Sequence, residues 1–158
     1  MIKTFQELTE VDNIVVKLYR TNPTLKDSKF GYAYKRFYQK NYEPTLKELQ
    51  EKLTDLAVEH ALEDKETKAL LKDAKGNYEY TKDGKIKLMK AERELLEQTN
   101  NKEIEIEPHI SPMTPELTEY EFDALNGLVV DRETPRETSK IDQGEEKVSE
   151  TTNDSTEG

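Results

Sequence analysis

The chain has 158 residues, a net charge of −10, no cysteine and no tryptophan, and fewer hydrophobic residues (33%) than charged ones (37%). The length indicates one domain, and the lack of cysteine excludes a disulfide framework and a thiolate metal site. No apolar run approaches the roughly 20 residues of a membrane-spanning helix, and the N-terminus has no signal-peptide core, so we expect a soluble, cytoplasmic protein without a membrane partner.

The N-terminal segment predicts a short amphipathic helix. Thr4 can cap its first turn, and Asn22-Pro23 ends it. Its apolar residues recur at spacings of three and four, as on one helix face: Phe5, Leu8, Val11, Val15 and Leu18 or Tyr19.

A longer helix follows, and its apolar stripe runs past a proline. Asp27 or Ser28 can cap it, and the stripe comprises Phe30, Tyr34, Phe37, Asn41, Leu46, Leu49, Leu53, Leu56, Ala57 and His60. A proline inside a helix costs about 3 kcal/mol, so the alternatives are two helices that meet at Tyr42-Glu43 or one long helix kinked at Pro44. Because the stripe stays in phase across Pro44, we favour the kinked long helix.

Two turn signals that contain glycine come next. Asp73 and Gly76 suit the first and fourth positions of a type I turn beside the β-prone Tyr78, which predicts a small hairpin that reverses the chain. Thr81 is a good N-cap, and the apolar face after it predicts a helix over 82–98. We expect this helix to return antiparallel to the long helix and to pack on it; self-association through the same leucine seam, giving a homo-oligomer, is the alternative.

The sequence EIEIEPHI, residues 103–110, alternates strictly and predicts a strand with one wet face. Its expected partner is the Tyr78 hairpin, because a two-stranded hairpin alone is only marginally stable. The wet face carries Glu103, Glu105, Glu107 and His109. These side chains suit a divalent metal, but alternate residues of a straight strand stand about 7 Å apart, so we interpret them as a solvent-exposed face. We therefore predict no metal site, no cofactor and no catalytic residue.

A final short helix and a tail complete the chain. Thr114 and Pro115 are the predicted N-cap and first residue of this helix, whose apolar residues lead up to Asn126-Gly127. Residues 131–158 contain nine acidic and four basic side chains and almost no apolar ones, which predicts a disordered acidic tail. The fold class is accordingly mainly α with a small β-element: residues 1–130 form a helical domain built on a long kinked helix and an antiparallel return helix.

The stretch KFGYAYKRFYQKNY, residues 29–42, has four basic side chains and no acid. At 100° per residue its aromatics cluster on one side of the helix, and a basic stripe with one aromatic lies on the other side. This stripe is the candidate interaction face: Lys29, Tyr32, Arg36 and Lys40. The alternatives are a solvated helix face, a phosphate-binding face, and a docking face for an acidic protein or for the chain's own tail. A net charge of −10 argues against a dedicated nucleic-acid binder.

Five pieces in this order carry a resemblance: FQELTEVDNIVVKLYR, NYEPTLKELQEKL, DAKGNYEYTKDG, ERELLEQTNNKEIEIEPHI and TPELTEYEFDALNGL. Over residues 4–130 the chain resembles a family of small helical-hairpin proteins encoded by tailed bacteriophages and prophages, which has no assigned activity. The long acidic tail departs from the usual end of that family. The resemblance implies a phage protein, located in the host cytoplasm or in the virion.

Together these features predict a non-enzymatic protein that binds another protein, either a phage structural protein or a host protein, in virion assembly or host takeover. Two alternatives stay open. The acidic surface and tail would make a DNA mimic that inhibits a host nucleic-acid-binding protein, and the basic stripe would make a weak nucleic-acid binder.

Overall fold

The computed structural model of the chain describes residues 1–136. The elements are β1 (Ile2–Thr4), α1 (Phe5–Thr21), a 3-10 turn (Pro23–Asp27), α2 (Lys29–Phe37), a π-helical turn (Tyr38–Tyr42), α3 (Glu43–His60), α4 (Lys82–Asn100), β2 (Glu103–Glu105) and α5 (Glu119–Leu125). The predicted class, mainly helical with a small β-element, is confirmed. None of the helices in this range is both long and apolar enough to cross a membrane.

The chain divides into two compact units. The first contains residues 1–13 and 37–107, and the second contains 14–36 and the described residues from 108 onward. The part of the predicted acidic tail from residue 137 onward lies outside the described residues.

The predicted helical hairpin forms the body of the first unit. The side chain of Thr81 caps α4 by accepting a hydrogen bond from the Gly84 N–H at 2.9 Å, as predicted. Gly84 lies against the carbonyl of His60 at the end of α3, whereas Lys102, just beyond α4, reaches Glu48 near the start of α3 at 3.5 Å. The two helices are therefore antiparallel.

Pro44 does not interrupt the helical backbone. Residues from Lys29 to His60 are helical without a gap, because the five-residue π turn joins α2 to α3. At the end of this turn the Glu43 N–H donates to the Tyr38 carbonyl, five residues back. Pro44 follows directly in the first turn of α3, so the proline lies where the π turn has already replaced the i to i−4 hydrogen-bond pattern of an α-helix. The structure thus favours one continuous helical path over two separate helices, with a π turn at the interruption.

A small β-meander within residues 62–80 connects the end of α3 to the start of α4. The predicted turn is confirmed: the Gly76 N–H donates to the Asp73 carbonyl at 3.0 Å, and Gly76 has a positive φ of 83°. Lys72 and Tyr78 pair across it. A third segment, to which the sequence analysis assigned no element, joins them through the Leu62 N–H, which donates to the Glu79 carbonyl at 2.8 Å.

The partner predicted for the strand after α4 is wrong. β2 pairs antiparallel with β1 at the N-terminus, with Lys3 opposite Ile104, and does not pair with the Tyr78 hairpin. The reason is the length of α4, whose 19 residues carry the chain about 28 Å away from that hairpin. β2 begins three residues after this helix ends, so only elements at the far end are within its reach.

The predicted start of the last helix is also wrong. α5 is capped by Thr118, whose side chain accepts from the Glu121 N–H at 3.2 Å while the Glu121 carboxylate accepts from the Thr118 N–H at 2.8 Å. This reciprocal capping box satisfies two N–H groups, which the Thr114 start does not offer. Thr114 instead is buried in an extended segment of the second unit.

The first residues of the predicted tail are part of this unit. The Thr114 N–H donates to the Pro135 carbonyl at 2.7 Å, and Thr114 pairs with Arg136 in parallel. The Asp131 carboxylate accepts hydrogen bonds from the N–H groups of Glu133 and Thr134, both at 2.9 Å. Ordered structure therefore extends at least six residues past Val130.

Candidate protein-interaction surface on α2

The start of α2 is fixed by a tight turn. The Ser28 side chain accepts a hydrogen bond from the Gly31 N–H at 3.3 Å, so Ser28, one of the two predicted caps, caps the helix. Gly31 packs against the preceding 3-10 turn so closely that a Cβ atom there would lie 2.1 Å from the Lys26 carbonyl oxygen. Only glycine allows the helix to begin at this place.

Aromatic side chains fix how α2 is rotated about its axis. Phe30, Tyr34 and Phe37 are 2%, 6% and 1% exposed, respectively. The Tyr34 ring meets Tyr19 of α1 edge to face, with ring centroids 6.5 Å apart. Because these rings recur at spacings of three and four, one face of the helix is buried and the opposite face is left to solvent.

That solvent face carries three of the four residues of the predicted interaction face. Lys29, Tyr32 and Arg36 are exposed, with Tyr32 61% accessible, and at 100° per residue they fall within about 60°. Among the described residues, no carboxylate lies within ion-pair distance of Lys29 or Arg36. The exposed Lys35 adds a third positive charge to this helix. We call Lys29, Tyr32 and Arg36 the basic face.

Lys40, the fourth predicted residue, has a different setting. It lies in the π turn and belongs to the first unit, whereas the basic face belongs to the second. Its amino group is 3.5 Å from the Glu107 carboxylate, and because both side chains are more than half exposed this pair contributes little stability. Its charge is partly balanced, whereas Lys29 and Arg36 have no such carboxylate within residues 1–136.

Asn41, which follows Lys40 in the sequence, has a structural role. From the sequence it was predicted only as a member of the apolar stripe. Asn41 is 4% exposed, and its side-chain amide donates to the carbonyls of Phe37 at 3.0 Å and Glu107 at 2.8 Å. Its side-chain oxygen also accepts from the Glu107 N–H at 2.8 Å. The presence of a polar residue on an apolar stripe could have predicted this role, because a buried side-chain amide is normally hydrogen-bonded.

The acidic strand face is only partly as predicted. Glu103, Glu105 and Glu107 are exposed, but His109 is half-buried. The backbone N–H of His109 donates to the Leu128 carbonyl at 2.9 Å. Pro108 separates the two settings, and His109 belongs to the second unit. Within residues 1–136 no group of three or more histidine, aspartate or glutamate side chains is arranged to hold a metal ion.

A surface groove with a volume of about 830 Å³ lies between the meander and the start of α4. The ammonium groups of Lys72 and Lys85 lie over the rings of Tyr78 and Tyr80 at 5.1 and 5.0 Å from the ring centroids. Asp73 is the one acid that lines it, and its carboxylate accepts two backbone N–H bonds in the turn. This lining contains no nucleophile paired with a base.

Comparison with known proteins adds no relative. No protein-family model and no curated protein matches the sequence, and no solved structure matches the fold. Among the surfaces of the described residues, the basic face combines charge, exposure and a fixed geometry.

Proposed function

We propose that this chain is a non-enzymatic interaction protein that docks the basic face of α2 on an acidic surface of another protein. The observation that carries the proposal is the exposure of Lys29, Tyr32 and Arg36 on one side of a helix whose other side is buried. In keeping with the resemblance to tailed-phage proteins, we assign the docking to virion assembly or host takeover, in the host cytoplasm or in the virion.

The energetics of the face suit protein recognition. Arginine and tyrosine are enriched in the residues that dominate binding energy at protein interfaces, because both offer a large planar surface with a polar end. α2 is held by the buried rings of Phe30 and Tyr34, so its backbone is already ordered before binding and only the exposed side chains remain to be ordered. Lys29 and Arg36, which have no ion-pair partner among the described residues, would also steer an acidic partner toward this face.

A protein partner is favoured over nucleic acid by the charge balance. The basic face offers two cations, whereas the whole chain carries −10. Each neutralised phosphate contributes to nucleic-acid affinity through counterion release, so a face this small gives weak binding that the net charge weakens further.

The test uses full-length protein immobilised as bait for extracts of the native host, infected or uninfected. The Lys29→Glu/Arg36→Glu variant reverses the charge of the basic face. The matched control is Lys87→Glu/Lys90→Glu, which makes the same charge change at two exposed positions of α4. We expect one partner to be retained by wild type and by the control and lost from the α2 variant, with purified partner binding at least tenfold more weakly.

A partner that binds the α2 variant as tightly as wild type would contradict the proposal. Binding of a single-stranded oligonucleotide that falls steeply with salt and with the same two substitutions would replace it by the nucleic-acid alternative. A further variant that lacks residues 137–158 tests the tail without cutting the ordered pairing at Thr114. If only this truncated variant lost the partner, the binding site would lie in residues 137–158 and not on the basic face.

A further inference from the structure

The α3–α4 hairpin buries few of its own residues. Of the 18 residues of α3 and the 19 of α4, only Thr45, Leu49 and Leu88 are buried. The remaining leucines of the α3 stripe are half-buried, and two large apolar side chains of α4, Met89 and Leu96, are 52% and 41% exposed. Two helices make a single layer, and a stable α-helical core needs a second layer over the seam.

One side of this layer is polar. A groove on that side is lined by Lys52, Asp55, Leu56 and Glu59 of α3 and by Ala91, Glu94, Leu95 and Gln98 of α4. Most of these side chains are charged or carry an amide. Four glutamate or aspartate residues, Glu48 included, lie here with three lysines, Lys52, Lys87 and Lys102, so the polar flank has a small negative charge.

The other side is apolar. Relative to the buried Leu49 and Leu88, the helical wheel places five apolar side chains on the flank opposite the polar groove: Leu46, Leu53 and Ala57 of α3 and Met89 and Leu96 of α4. We call these five residues the apolar flank. Its charged members on the wheel are Lys85 and Glu92, which balance each other.

The spacing on both helices suits a four-helix bundle. Leu46 and Leu53 are seven residues apart, and so are Met89 and Leu96. A seven-residue repeat keeps side chains on one seam between helices that cross at about 20°, the geometry of helix bundles. A second copy of this chain brings the same repeat on both of its helices.

Area and charge also fit a second copy. At 1.5 Å per residue and 8–10 Å between helices, the whole face of the α3–α4 layer on this side measures about 27 by 20 Å, or roughly 500 Å², and the apolar flank occupies about 17 Å of its length. Two copies would bury about 1,000 Å², the lower limit for a specific interface. The apolar flank is neutral, so two chains of charge −10 can meet there without bringing like charges into contact. Contact through the two negative polar flanks would bring acidic side chains together.

From these observations we infer that the apolar flank is a homodimer interface, at which two α3–α4 hairpins stack by two-fold symmetry into a four-helix bundle. This inference is independent of the basic face on α2. The two differ in their response to salt: added salt screens the repulsion between two acidic chains and strengthens the dimer, whereas it weakens docking through the basic face.

Sedimentation equilibrium of the full-length protein tests the inference. We expect a particle of twice the 18.4 kDa chain mass, with a dissociation constant that falls as salt is added. Met89→Glu or Leu96→Glu, both at exposed positions, should raise that constant at least tenfold with an unchanged helical circular dichroism signal. Gln98→Glu adds the same charge to the polar flank of α4 and should leave it unchanged.

Cross-linking supplies a second readout that tolerates a weak dimer. The chain has no cysteine, so Met89→Cys introduces a single thiol on the apolar flank and Gln98→Cys a single thiol on the polar flank. We expect mild oxidation to give disulfide-linked dimers of the first variant and none of the second. A wild-type chain that stays monomeric up to about 100 μM, or equal cross-linking of both variants, would overturn the inference.

Discussion

The side-chain amide of Asn41 bonds both backbone groups of Glu107, accepting from its N–H and donating to its carbonyl, each at 2.8 Å. The two residues are 66 positions apart in the sequence. Through this contact the π turn provides hydrogen-bond partners for the backbone N–H and C=O groups of Glu107, which lies just beyond β2.

Replacing Asn41 with alanine should destabilise the protein by about 2–4 kcal/mol, because three hydrogen bonds are lost and buried backbone groups are left unsatisfied. The measurement is the free energy of unfolding from urea denaturation followed by circular dichroism. Gln39→Ala, at an exposed position of the same turn, is the control and should change stability by less than about 0.5 kcal/mol. Equal effects of both variants would show that the buried amide contributes nothing beyond helix propensity.

Gly31→Ala should be among the most destabilising single substitutions in the chain. A Cβ atom at this position would overlap the Lys26 carbonyl oxygen at 2.1 Å and approach the Leu25 carbonyl at 2.7 Å, and both are backbone atoms that cannot rotate away. Elsewhere in a helix the same change adds up to about 1 kcal/mol of stability. Thermal denaturation should show a large drop for Gly31→Ala and almost none for Lys35→Ala in the same helix; a rise for Gly31→Ala would contradict the packing described for α2.

Two threonines near α5 should respond in opposite ways. Thr118→Ala removes the cap of the helix and should cost about 1 kcal/mol. Thr114→Val replaces a buried hydroxyl that has no hydrogen-bond partner among the described residues, so it should be neutral or stabilising. Urea denaturation of both variants decides whether α5 is capped by Thr118 or by Thr114. If Thr114 were the cap, Thr114→Val would be the destabilising substitution and Thr118→Ala would have little effect.

Tyr42 should make the protein sensitive to alkali. Burial raises the pKa of its phenol, the Thr9 hydrogen bond opposes this rise, and the nearby Asp12 adds to it. The folded state therefore holds the proton more tightly than the unfolded state, so the stabilisation is complete below pH of about 10 and is lost as the pH rises through the folded pKa.

Tyr42→Phe should cost about 1 kcal/mol at neutral pH through the lost Thr9 bond, but its stability should decline less above pH of about 10. The measurement is the urea midpoint as a function of pH. Tyr120→Phe, at a side chain that is 71% exposed, is the control and should follow the wild-type profile. A Tyr42→Phe profile parallel to wild type would show that this phenol is not the group responsible.

Apart from the start of α5, which was predicted at Thr114 although the capping box of Thr118 and Glu121 is equally local, the helices and turns formed as local rules predict. Capping by Thr4, Ser28 and Thr81 and the turn at Asp73 depend on residues within four positions of each other, so the sequence contains the whole interaction. The inner and outer faces of α2, and hence the exposure of Lys29, Tyr32 and Arg36, follow from a periodicity that is equally local.

What remained was decided by contacts between distant segments. The pairing of β2 with β1, the hydrogen bonds of Asn41 and the extension of order through Arg136 join residues 22 to 103 positions apart. A short strand, a single side-chain amide or a polar segment shows no hydrophobic periodicity in the sequence. Each is stabilised by hydrogen bonds with backbone groups that only the tertiary fold places next to it. The sequence by itself determined the helical elements and their apolar faces, while the tertiary structure decided which polar backbone groups meet and which apolar flank stays open.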